Sequence, residues 1–212
     1  MKKQGFLGII AITFLLFYII FLQWFSMEFL VIGDLPYEKE MKQTAHYVKE
    51  IWEDAEVFPV EKYKEIAFAY EDSYGQERTY GGKRQHEGTD IIPPENVAGK
   101  YKIVSISDGV IENIGWLPLG GWRIGIRSEQ GIYFYYAHLH HFEKGMQEGT
   151  KVKAGDVIGY MGDSGYGEEG TTGKFVVHLH FGIYIQEKGE EISVNPYWIL
   201  KNLEEIDRKA SN

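Results

Sequence analysis

Gly5 to Leu22 is an uninterrupted apolar run, GFLGIIAITFLLFYIIFL, and no other stretch limits the chain as strongly. As a helix it extends roughly 27 Å, close to the hydrocarbon thickness of a bilayer. Its Leu, Ile and Phe side chains favour insertion by about 4–8 kcal/mol, and no charge offsets them. Lys2 and Lys3 precede the run, while Glu28, Asp34, Glu38 and Glu40 follow it. The positive-inside rule then puts the N-terminus in the cytoplasm and the remainder outside. Trp24 and Phe25 fall where interfacial aromatics are expected. A cleaved signal peptide needs a shorter apolar core and a small-x-small site. Here the flank reads QWFSMEFLVIG, which is bulky, and no cysteine is available for lipidation. The expectation is an uncleaved single-pass anchor over residues 5–26, with residues 1–4 cytoplasmic.

The remaining stretch, about 180 residues, suffices for one domain with a sizeable core. Residues 27–57 read as a juxtamembrane segment containing a helix. Met41, Ala45, Val48 and Trp52 recur at helical spacing and predict its apolar face. From Phe58 the pattern changes to short β-like runs: 102–107, 110–115, 122–127, 131–136 and 176–185, with Gly-containing turns at or near their junctions. Frequent glycine (25) and aromatics (15%) fit the same picture, so the fold class is mainly β and antiparallel. The Gly-rich stretch 162–174 is a long loop of the kind that carries function. Asn195-Pro196 closes the last strand, and YWILKNLEEIDRKA predicts a C-terminal helix. The domain is expected over residues 58–204, with 205–212 as a tail. A net charge of -9, with no basic cluster, excludes nucleic acid as a partner. With no cysteine, a metal site must use His, Asp or Glu.

Six of the seven histidines fall in three short clusters within the β region. His178-Leu179-His180 lies in an apolar strand, where alternation turns both imidazoles the same way, roughly 6.5–7 Å apart. His86-Glu87-Gly88-Thr89-Asp90 offers an imidazole and a carboxylate, both donors suited to Zn²⁺. A zincin-like helix with Glu87 as base is excluded by Gly88, Thr89 and Ile91-Ile92-Pro93-Pro94; a turn entering a strand fits better. Together His86, Asp90 and one later histidine make three ligands and leave a fourth position open for water, as a catalytic zinc requires. The middle cluster, Tyr136-Ala137-His138-Leu139-His140-His141, can add an unligated imidazole for proton transfer. Spacing does not distinguish the two HLH sequences, nor the two members of each.

These clusters, HEGTD, YAHL and HLHF in that order, resemble the LytM/lysostaphin family of zinc peptidases, as does VKAGDVIGYMGDSG. The resemblance covers roughly residues 66–200. It implies an antiparallel β-sheet, barrel-sandwich-like peptidase domain behind the transmembrane anchor, with a groove between loops. Residues 162–174 and 113–121 are the expected groove walls. It further implies His86, Asp90 and His180 as ligands of one Zn²⁺ per chain, with His138 and His178 as unligated catalytic histidines. His140 and His141 receive no role and read as loop residues. Val177 stands where many members have proline, which a strand tolerates. The implied activity is hydrolysis of peptidoglycan peptides through a zinc-activated water. GTTGKFVVHLHFGIY looks like the sporulation and cell-wall endopeptidases of this family. Two other readings compete: an inactive LytM-like scaffold or activator of other hydrolases, and a biotinyl- or phosphocarrier domain. The first sits poorly with five intact site positions, and the second with the anchor and the HxxxD cluster.

Overall fold

The computed structural model describes residues 38–62 and 67–210. The chain divides into two units, Met1–His46 and Tyr47–Asn212; of the first, only the opening of one helix is described. The anchor expected at residues 5–26 lies outside the described residues. Among those described, no helix is long and apolar enough to cross a membrane.

Helix α1 (Glu38–Asp54) forms in the expected segment, but the apolar stripe is corrected. Val48 and Trp52 are exposed, whereas Ile51 and Ala55 are buried and Tyr47 packs against the core. Tyr47, Ile51 and Ala55 recur every four residues, so the buried face is turned by one position, about 100°. Ile51 is wholly buried with no polar atom to satisfy, while Trp52 would bring an indole N–H that needs a partner.

The rest is strand and turn up to a final helix. The strands are β1 (Glu77–Arg78), β2 (Arg84–Gln85), β3 (Thr89–Ile91), β4 (Lys102–Val104) and β5 (Gly109–Leu117). They continue with β6 (Gly121–Arg127), β7 (Tyr133–Phe142), β8 (Lys151–Val152), β9 (Val157–Met161), β10 (Leu179–Glu187) and β11 (Glu190–Val194). β1 and β2 form their own hairpin. The other nine make one sheet whose main path is β11-β10-β7-β6-β5-β8, with β3 on β10, β4 on β9 and β9 on β7. Every strand pairing among the described residues is antiparallel. The mainly antiparallel β class read from the sequence is therefore correct.

Period-two alternation divides the sheet into two faces. Leu179, Phe181, Ile183 and Ile185 of β10 join Phe134 and Tyr136 of β7 and Ile124 and Ile126 of β6 in the core, all buried. Each large apolar side chain so buried stabilises the domain by about 1.5–3 kcal/mol. The opposite face carries His180 paired with Ala137, Gly182 with Tyr135, and Tyr184 with Tyr133. Strand β10 begins at Leu179 rather than Val176, because His178 makes only an isolated bridge to Gly162.

One further expectation changes, and the C-terminal helix forms as expected. His140 and His141 lie on β7, not in a loop, because β7 runs on to pair with β9 through His141 and Phe142. The C-terminal helix α2 (Tyr197–Ala210) starts on Asn195-Pro196. Asn195 Oδ1 accepts the Tyr197 N–H at 3.0 Å, and Pro196 takes the first helical position, where no N–H is needed.

Tyr136 is fully buried, and its hydroxyl accepts the Ile106 N–H at 2.9 Å. Tyr136→Phe strands that donor in the core and is expected to cost about 1–3 kcal/mol, measured as a lower urea midpoint with unchanged slope.

Candidate active site

Two segments about ninety residues apart in sequence meet at one edge of the cleft face. His86 follows the β1–β2 hairpin, Asp90 lies in β3, and the β3–β10 register sets Asp90 opposite His180. His86 Nε2 and His180 Nδ1 each stand 3.0 Å from Asp90 Oδ1, and 3.0 Å from one another. These three groups could hold a metal ion.

Surrounding groups fix how the donors point. His86 Nδ1 lies 3.0 Å from the Ser73 carbonyl oxygen. A carbonyl only accepts, so Nδ1 donates and Nε2 keeps its lone pair. Arg78 Nη2 donates to Asp90 Oδ2 at 2.9 Å, and its 3.0 Å approach to His86 Nδ1 is then a close contact between two donors. Burial would raise the Asp90 carboxyl, but the neighbouring imidazoles, His180 foremost, outweigh it and hold the group well below the carboxylate range. Gly88 is required for space. A Cβ there would stand 2.5 Å from the Phe181 carbonyl oxygen and 2.7 Å from Cε1 of His180. The neighbouring Glu87 is exposed, and Thr89–Ile91 is strand rather than helix.

His138 and His178 complete the cluster. Simple alternation from Phe134 and Tyr136 would drive His138 into the core. Instead the β6–β7 pairing shifts register between Trp122 and Ile124, and His138 adopts a positive φ of 61°. Such a bulge re-aims a side chain, and here the ring centroid comes 4.7 Å from that of His178 and 6.0 Å from that of His180. His138 Nδ1 donates to the Ser164 carbonyl at 2.8 Å, and His178 Nδ1 to the Val176 carbonyl at 2.8 Å. Both rings are therefore Nδ1–H tautomers with Nε2 free to accept. His178 Nε2 lies 3.8 Å from Asp90 Oδ1. Burial lowers the pKa of both, reinforced at His138 by the neighbouring His178 and His180 and opposed at His178 by Asp90. Each is thus neutral, the state in which an imidazole can take up a proton.

An open cavity of about 230 Å³ lies over these residues, walled by Leu119 and Gly120 on one side and Tyr166 and Phe175 on another. The segment 113–121 and the Gly-rich loop therefore flank it. Sequence reasoning missed Arg78 and Arg84, which also line the cavity, and Ser164, whose buried Oγ donates to the Leu139 carbonyl and accepts the Trp122 N–H. Only Arg84 left a trace, as part of the Lys83-Arg84 pair close to His86. Tyr135, whose ring lies 6.0 Å from that of His180, was missed as well; burial pushes its phenol up to about 12. Of the remaining histidines, His140 is exposed and His141 stacks on Tyr160 at 4.3 Å; neither joins the cluster.

Two imidazoles and a carboxylate around one point, with two neutral imidazoles beside them in an open cleft, is the arrangement of a metal-dependent hydrolase. The chain belongs to peptidase family M23, whose family model matches residues 84–196. It is similar to the L-Ala–D-Glu endopeptidase of Bacillus subtilis, 46% identical over 130 residues that cover 61% of this chain and 39% of that relative. It also resembles lysostaphin of Staphylococcus simulans, 30% identical over 55% of this chain and 22% of that one. The chain thus spans about two fifths or less of the curated relatives named here. Among solved structures, a candidate glycyl-glycine endopeptidase lytM from Ruminococcus gnavus is similar with a TM-score of 0.67 and 50% identity, over 80% of this chain and 70% of that one. Lysostaphin follows with a TM-score of 0.52 at 26% identity, over 70% of this chain and 56% of that one.

Gly88→Ala is expected to push the His180 ring out of the triad. The affinity of the triad for a divalent ion should fall about 10- to 100-fold with the far-ultraviolet dichroism unchanged, read by titration against a competing chelator.

Proposed function

We propose that this chain is a membrane-anchored, extracytoplasmic zinc endopeptidase that cuts peptide bonds in peptidoglycan. The observation that carries the reading is the triad of His86, Asp90 and His180, each donor 3.0 Å from the next. Tetrahedral bonds of about 2.0–2.1 Å need donors roughly 3.3 Å apart, and an N,N,O set suits Zn²⁺. The residues fit the ion. One Zn²⁺ per chain would be held by those three side chains, and the chemistry it supplies is acidification of water and polarisation of a carbonyl.

The chain's own groups provide the rest. Of His138 and His178, both neutral and with Nε2 free, one accepts the proton of an attacking water. As an imidazolium donor it then faces the negative charge that develops on the carbonyl oxygen of the scissile amide, and the proton passes on to the leaving amine. The backbone carbonyls of Ser164 and Val176 keep both rings in the tautomer this needs. The relatives' names support peptidoglycan peptides as substrate, and the L-Ala–D-Glu bond is the first to test. The apolar run at 5–22 and the charge asymmetry around it support an anchor at residues 5–26, a cytoplasmic residues 1–4 and a peptidase domain over 58–204.

Purified full-length protein in detergent should contain about one zinc per chain and release defined muropeptides, identified by mass spectrometry. Metal-loaded protein that cuts no peptidoglycan from any source would leave the inactive-scaffold reading standing instead. His86→Ala and His180→Ala should lose the zinc. His138→Ala should keep it and lose about 10²–10⁴-fold in turnover. Loss of metal from His138→Ala together with retention by His180→Ala would reverse the ligand assignment. In membranes of intact cells the catalytic domain should be accessible to external protease, whereas protection would sink the orientation.

A further inference from the structure

The cavity differs in charge from the rest of the chain. The chain carries -9 overall, yet the charged side chains that line this cavity are Arg78, Arg84 and Asp90 alone, beside the histidines. Asp90 is already occupied by His86, His180 and Arg78, and Arg78 by Asp90. Arg84 is placed differently. Its Nη2 donates to the Tyr166 hydroxyl at 3.2 Å and its Nε to the Tyr80 carbonyl at 3.5 Å, both neutral acceptors. Among the described residues, no carboxylate forms an ion pair with it. The residue is half-buried, and Tyr80 and Tyr166 are stacked on one another with centroids 4.2 Å apart, so the two acceptors that hold the guanidinium are themselves fixed together.

A guanidinium fixed at a cleft wall, without a counter-ion, in an otherwise acidic protein, matches the planar fork that recognises a carboxylate. We propose that Arg84 forms a carboxylate-binding subsite of this cleft. Its ligand is a peptide with a free, ionised carboxylate on the residue adjoining the scissile amide. A γ-linked glutamyl residue has that chemistry, because its α-carboxylate stays outside the backbone. The subsite deepens the peptidase reading above and rests on it. Arg84 would then be a specificity-determining residue, selecting the bond through a charge on the substrate while the histidines act on the amide.

The test uses zinc-loaded full-length protein in detergent and two synthetic peptides that differ at one group. One carries L-Ala-γ-D-Glu with a free α-carboxylate, the other the same peptide as the α-carboxamide. Turnover and binding by calorimetry are measured for each. Wild type should prefer the carboxylate by roughly 10- to 100-fold in kcat/KM, chiefly through KM. Arg84→Gln should abolish that preference by weakening the carboxylate peptide alone. Tyr166→Phe deletes the strut between Tyr166 and Arg84 but keeps the guanidinium, and should retain the preference. Turnover of both peptides without preference, or an equal loss on both in Arg84→Gln, overturns the subsite and leaves the peptidase reading intact. Carboxylate-selective binding that Arg84→Gln removes, with no turnover of either peptide, upholds the subsite and overturns L-Ala–γ-D-Glu as the bond that is cut. No turnover and no selective binding overturns both the subsite and that bond.

Discussion

The site depends first on the register between β3 and β10. Pairing Asp90 with His180 puts a carboxylate and an imidazole on the cleft face of adjacent strands, close enough to share one partner. A slip of one residue would exchange every side chain between the core and the cleft, taking Asp90 into the space of Thr89 and Ile91, which are both fully buried. Such a slip is therefore heavily penalised by the same apolar residues that make the core. β10 is tied on its other side to β7, where His180 faces Ala137. The core thus specifies the geometry of the polar cluster without touching it.

One departure from regular β structure supplies what the register cannot. Regular alternation would bury His138 beside Phe134 and Tyr136. A bulge with a left-handed residue at His138 turns the ring to the cleft, and Leu139 returns to the core. Holding a non-glycine residue at positive φ has a conformational cost of order 1–3 kcal/mol. The Ser164 carbonyl on the ring and the Gly120 carbonyl on the His138 N–H, both at 2.8 Å, offset it. The Gly-rich loop that carries Ser164 is secured in turn by the Ser164 hydroxyl, and by Tyr166 stacked against Tyr80. Loop, bulge and hairpin therefore hold the histidines jointly.

The electrostatics follow from the same arrangement. Asp90 remains ionised because imidazoles and Arg78 surround it, while His138 and His178 remain neutral because they are buried near other imidazoles. One carboxylate and two free imidazoles give the cleft an anionic ligand and two proton acceptors. Arg84 adds positive charge at the rim, in a direction the overall charge of the chain does not anticipate.

The sequence by itself determined the β class, the C-terminal helix and its Asn-Pro start, and the segments from which the cluster is drawn. Those features are written in local chemistry: period-two alternation, turn residues, and imidazoles beside a carboxylate. The sequence also excluded a helix at HEGTD, because Gly88 and Thr89 disfavour one. It could not separate the two HLH strings, which are identical in spacing. Tertiary structure separated them through a bulge on β7 and the end of strand pairing ahead of His178. Nor could it place α1, whose buried face is offset by one residue because the core accepted Ile51 in preference to Trp52. Nor did it assign a place in the cleft to Arg78 or Arg84. Their positions depend on a short hairpin folding over a cleft built by strands a hundred residues or so further on, and only the folded chain brings those parts together.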